Sequence, residues 1–208
     1  MTSSSPALVV KKQSPIDRTI LGMILFVASE SIFFLLLLLA YVNFHKDTGA
    51  QAAALLDPIK TGMFSVALFS SSFTLMLAEK AREKASENGA ERNQAEKKSV
   101  LVNVWLLVTV VLGAVFLTGQ GLEYAGLLTH NVTISRDMFG SSFFTLTGFH
   151  GFHVFIGLVL LTVLLCLSAF GRNNEPTIPC MKSIAIYWHF VDVVWIVIFS
   201  VVYLWRYV

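Results

Sequence analysis

Long apolar runs alternate with short polar segments along the whole chain. The runs lie at about 19–44, 59–78, 100–128, 138–170 and 183–207. Each is near or above the ~20 residues an α-helix needs to cross a ~30 Å hydrocarbon core. The pattern therefore predicts an all-α, polytopic membrane protein, a bundle of five transmembrane helices. A polar segment at 1–18 precedes the first run, and a lysine- and glutamate-rich loop at 79–99 separates the second from the third. The turn signal at Asn88 and Gly89 within that loop suggests two helical extensions meeting in water. No internal repeat and no second, soluble domain is visible.

Composition agrees with this reading and narrows it. Only 13% of the residues are charged and 55% are hydrophobic, whereas a soluble domain is about a quarter charged. No basic domain of the kind that binds nucleic acid is present. The two cysteines, Cys166 and Cys180, have no metal-binding or redox spacing and read as packing residues or a free loop thiol. The first residues lack a cleavable secretory signal and the arginine-rich pattern of a mitochondrial transit peptide, which favours a bacterial plasma membrane. Most of the fifteen lysines and arginines fall in the N-terminal segment, the 79–99 loop and the loop before the last run. By the positive-inside rule the N-terminus is then cytoplasmic and the C-terminus outside.

Against this apolar background a few ionisable residues stand out. Glu30 lies in FVASESIFF, His150 and His153 in FHGFH, His189 and Asp192 in WHFVD, and Gln120, Glu123 and Tyr124 in GQGLEY. Ionisable groups at membrane depth are costly, so each asks for a partner and a role. At a rise of ~1.5 Å per residue, Glu30 falls ~17 Å into the membrane, His189 ~9 Å and Asp192 ~14 Å. Glu30, His150, His153, His189 and Asp192 can on this basis share one polar layer, with Glu123 near the outer surface. Three-residue spacing puts His150 with His153, and His189 with Asp192, on one side of their helices. Gly148, Gly151 and Gly157 thin the fourth helix where a neighbour could press close, and Ser65, Ser70, Ser71, Ser72 and Thr74 do the same for the second. Three uses of the layer are compatible with the spacing: hydrogen-bonded helix packing, a proton or lipid site built around Glu30, or a metal site. The last is disfavoured by the depth of Glu123 and the absence of a Glu-x-x-His pattern.

The strings FFTLTGFHGFHVFIGL and YWHFVDVVW, with GQGLEY and LGMILFVASESIFF, closely resemble the patterns of the cytochrome c oxidase subunit III family. The resemblance covers nearly everything from residue 19 onward. It implies a non-catalytic subunit of a heme-copper terminal oxidase, which couples oxygen reduction to proton pumping. Such a subunit contains no heme or copper, those cofactors belonging to partner subunits. It packs on subunit I within a complex that also holds subunit II, binds phospholipid, and sustains proton uptake and turnover. The resemblance assigns Glu30 to the family's buried carboxylate. It gives His150, His153, His189, Asp192 and Glu123 to internal hydrogen bonding and packing. Long members have seven helices and a lipid cleft between the first two and the other five, and this chain resembles the short five-helix bacterial form. That form occurs with cytochrome c and with quinol oxidases. An accessory subunit of a nitric oxide reductase is an alternative, and an independent transporter a more distant one, since no inverted repeat is visible.

Overall fold

The computed structural model describes residues 17–53, 57–87, 92–129, 138–170 and 178–204. They form α1 (Arg18–Ala53), α2 (Pro58–Glu87), α3 (Arg92–Thr129), α4 (Met138–Phe170) and α5 (Ile178–Phe199), and α5 runs into a π-helical turn at Ser200–Leu204. No strand occurs among the described residues. Each helix contains a stretch long and apolar enough to cross a membrane, so the chain is a multi-pass membrane protein. The N-terminal polar segment up to residue 16 and the turn signal at Asn88 and Gly89 lie outside the described residues.

Helix ends follow local chemistry more than hydropathy. α1 continues to Ala53, past the apolar run, through a stretch with no proline and with good helix formers in its last turn. The charged stretch between the second and third runs is mostly helix, because α2 continues to Glu87 and α3 begins at Arg92. α2 starts sharply at Asp57. Its Oδ1 accepts from the backbone N–H groups of Ile59 at 3.2 Å and Lys60 at 3.3 Å, and Pro58 occupies the first helical position.

Packing arranges the helices in three layers. α4 and α5 lie side by side in the middle, α1 covers both of them on one side, and the α2/α3 hairpin lies on the other with α2 against α5 and α3 against α4. The centre is aromatic: Trp188, Trp195, Phe116 and Phe143 are fully buried. Trp188 fits between two glycines. A methyl group on Gly157 would come within 2.7 Å of its ring, and one on Gly113 within 2.8 Å. Here glycine is required by the indole's thickness. Gly148 and Gly151, expected to admit close neighbours, have room for a methyl group, with the nearest atoms at 3.8 and 3.9 Å. The close approaches lie instead at the Trp188 slot and at Gly119 of α3, where a methyl group would run into the Phe64 ring of α2.

Candidate functional site

The polar residues of the interior sort into separate groups, and each group ties particular helices together. On the α1 side, His153 Nε2 lies 3.2 Å from Glu30 Oε2, and His153 Nδ1 lies 2.7 Å from the carbonyl of Phe149 one turn back. Since the Nδ1 contact is to a carbonyl, Nδ1 donates there. Tyr187 on α5 donates to the carbonyl of His153 at 3.0 Å, and Phe34 on α1 sets its ring edge-on to the imidazole. His153 thereby links α1 through its ring and α5 through its backbone carbonyl. The Glu30 side chain stays 22% exposed while that of His153 is 10% exposed, so the carboxyl end of this pair is the one open to the surroundings.

On the other side, α2 and α5 run antiparallel and are joined by side-chain hydrogen bonds in matching order. Trp188 Nε1 donates to Ser71 Oγ at 3.0 Å and Trp195 Nε1 donates to Ser65 Oγ at 2.7 Å. Buried indoles need such acceptors, and serine offers one while keeping the backbones close. Ser72, next to Ser71, bonds both His189 Nδ1, at 2.9 Å, and Asp192 Oδ2. Thr74 extends the seam to α3 through a 2.8 Å contact with Thr109.

A third group closes the end of the bundle at which α2 begins. Glu123 on α3 accepts from Thr61 on α2 at 2.9 Å and from Tyr203, in the π-helical turn, at 2.7 Å, with Gln120 Nε2 at 3.5 Å. Tyr124 pairs with Thr147 on α4 at 2.6 Å. The GQGLEY string therefore joins four elements. Glu123 is a partly buried hub at that end of the bundle.

The residues expected at one depth fall into separate contacts. Glu30 meets His153 and Asp192 meets His189 through Ser72, and among the described residues no hydrogen bond or ion pair joins Glu30 or His153 to Asp192 or His189. His150 joins neither. It is wholly buried, stacks on Trp195 at 4.9 Å, faces the edges of Phe34 and Phe116, and among the described residues finds no hydrogen-bond partner for either ring nitrogen. Its neighbours use it as an aromatic plate. Among the described residues, no three His, Cys, Asp or Glu side chains converge as metal ligands would. Both cysteines are free thiols. Ser72, Tyr187, Thr61 and Tyr203 belong to these groups and were not singled out from sequence as partners of the ionisable residues. The hydroxyls of α2 were visible as packing residues, but the register that pairs them with α5 was not.

Comparison with known proteins adds a separate line of evidence. The family model for cytochrome c oxidase subunit III matches residues 12–207. A probable cytochrome c oxidase subunit 3 from Mycobacterium leprae is 31% identical over 88% of this chain and 85% of its own length. The cytochrome c oxidase subunit 3 of Synechocystis is 33% identical over 90% of this chain and 76% of its own, and that of Thermostichus vulcanus 33% over 90% and 88%.

Proposed function

The chain belongs to the cytochrome c oxidase subunit III family, and from that premise we propose that it is the non-catalytic subunit III of a respiratory heme-copper terminal oxidase. The carrying observation is the match from residue 12 to residue 207, which takes in all five helices. Membership implies association with the other subunits of such an oxidase. In this reading the chain lies in a bacterial plasma membrane with its N-terminus in the cytoplasm. It packs on subunit I, and the heme and copper reside in partner subunits.

Two features support a role in lipid contact and sustained proton uptake. Shallow apolar cavities flank the middle layer. One of about 220 Å³ lies between α1 and α5, lined by Phe34, Leu38, Phe190 and Val194, and one of about 530 Å³ lies between α3 and α4, lined by Leu117, Phe155 and Val159. Their walls suit hydrocarbon chains. The Glu30 carboxyl, held by His153 and only partly covered, is the ionisable group best placed to exchange a proton at the α1 face.

The test is turnover of the complex with and without the chain. The depleted complex should start at the normal rate and lose activity faster, and Glu30→Gln should reproduce part of that loss. Equal long-term turnover would overturn the role. Heme absorbance in the chain purified alone, or its co-purification with a nitric oxide reductase, would overturn the assignment itself.

A further inference from the structure

Ser72 stands between two titratable residues that α5 presents one turn apart. Its hydroxyl lies 2.9 Å from His189 Nδ1 and also bonds Asp192 Oδ2. A hydroxyl has one proton to donate and can accept at the same time. Two complete arrangements therefore exist. In one, Asp192 Oδ2–H donates to Ser72, which donates to Nδ1. In the other, Nδ1–H donates to Ser72, which donates to a carboxylate. The same three heavy atoms serve both.

The surroundings favour the first arrangement at rest. Asp192 is only 6% exposed, and no donor among the described residues reaches its Oδ1. An ionised carboxylate would leave charge on a buried, unbonded oxygen, which is far costlier than burying a neutral acid. Ser72 is the neighbour whose hydrogen bond offsets that burial. On α1 and α4, Glu30 and His153 engage each other, and His150 lies among aromatic rings. Toward one end of α2 and α5, Lys182 pairs with Glu83 at 2.7 Å, beside Glu79. Ser72 is the one polar partner that Asp192 has among the described residues. His189, by contrast, is only partly buried, and its ring is the one titratable group that shares Ser72 with Asp192 among the described residues.

We propose that His189, Ser72 and Asp192 form an intramembrane proton-holding site, in which Asp192 stores one proton and exchanges it through Ser72 and the His189 ring. In the transfer, the Oδ2–H bond breaks as Ser72 Oγ takes that proton, and the Ser72 proton passes to Nδ1. One proton moves from carboxyl to imidazole and no electrons change hands. The imidazolium then gives its Nε2 proton to a water molecule that reaches the ring, and reloading reverses these steps. Neither the heme-copper assignment nor Glu30 is needed for this reading.

Infrared spectroscopy on the intact membrane complex carrying the chain tests it. The wild type minus Asp192→Asn difference should contain a carboxylic-acid C=O band that moves down in frequency after transfer to D2O. His189→Phe and Ser72→Ala should slow that movement by about tenfold or more, as loss of one relay hydrogen bond implies. Absence of the band would show an ionised Asp192 and overturn the proposal, as would exchange at the wild-type rate in both relay variants. If Asp192→Asn does not assemble, 13C-aspartate labelling identifies the band in the wild type and in Ser72→Ala. There the band should rise in frequency as its hydrogen bond is lost, and an unchanged frequency would overturn the relay.

Discussion

α1 and α5 both cross the membrane, and the more hydrophobic of them is the less buried. The apolar window of α1 exceeds that of α5 in hydropathy, yet 6% of it is buried inside the protein against 50% for α5. In water the relation would run the other way. In a bilayer, lipid is as apolar as leucine, so Leu25, Ile32, Leu36 and Leu39 of α1 gain nothing by turning inward and remain exposed. What draws a helix to the centre is the set of groups lipid cannot satisfy. α5 carries the indole N–H groups of Trp188 and Trp195, the Tyr187 hydroxyl, His189 and Asp192, and each has found an acceptor or donor on a neighbour. α1 offers Glu30, which meets His153 of α4.

The largest test of this contrast is on α5. Trp188→Ala removes a fully buried indole, its bond to Ser71 and the filling of the slot between Gly113 and Gly157. It should cost about 3–5 kcal/mol, measured by denaturant unfolding in detergent micelles. Gly157→Ala approaches the same slot from the other side and should cost about 1–3 kcal/mol, since the indole has no room to give way. A loss below that range for both would show that α5 is held by something other than this packing.

Next in size is the end of the bundle where α2 begins. Glu123→Ala strips the acceptor from Thr61 and Tyr203 at once. Thr61 keeps the Asp57 carbonyl at 3.1 Å, so the loss falls mainly on the buried Tyr203 hydroxyl and should cost about 1–3 kcal/mol, and the last turn of α5 should lose amide protection from hydrogen exchange. On α1, Leu36→Ala should change stability by no more than ~0.5 kcal/mol in the same assay, because lipid or detergent covers the site before and after. A cost near 2 kcal/mol there would break the comparison, since it would mean that α1 relies on apolar burial within the chain.

This difference also explains what could be read from the sequence. Five helices were legible because membrane thickness sets the length of an apolar run directly, and α4 at Met138–Phe170 coincides with its run. The ends of α1, α2 and α3 were not, since those helices continue through polar residues on propensity alone. Among the candidate residues, the pairing of His189 with Asp192 on one face followed from their three-residue spacing. The bridge between them did not: Ser72 lies 120 positions from Asp192, and only the antiparallel register of α2 on α5 brings it there. Depth counting put Glu30, His150, His153, His189 and Asp192 at compatible levels but carries no information on rotation about each helix axis. That rotation places Glu30 and His153 on the α1 side, Ser72 and Asp192 on the α2 side, and His150 between aromatic rings.

The smallest expected effect belongs to a polar group outside the spans. Asp57 caps α2, and the N–H of Lys60 hydrogen-bonded to its carboxylate is the chief reason its pKa lies below the ordinary aspartate value, with the Lys60 ammonium at 3.1 Å adding to it. Because the folded value is the lower one, the cap favours the helix at all pH values above the unfolded aspartate range of about 4. The contribution fades as the pH falls through the lowered value, where the carboxyl becomes neutral. Amide exchange at Ile59 and Lys60 reads this directly. Protection of both should be constant from neutral pH to about 4, after correction for intrinsic rates, and should fall below that. Asp57→Asn keeps an oxygen acceptor but no charge, so it should retain capping while abolishing the pH dependence. A fall in protection that persists in Asp57→Asn would place the titrating group elsewhere and leave Asp57 as a cap whose charge does nothing.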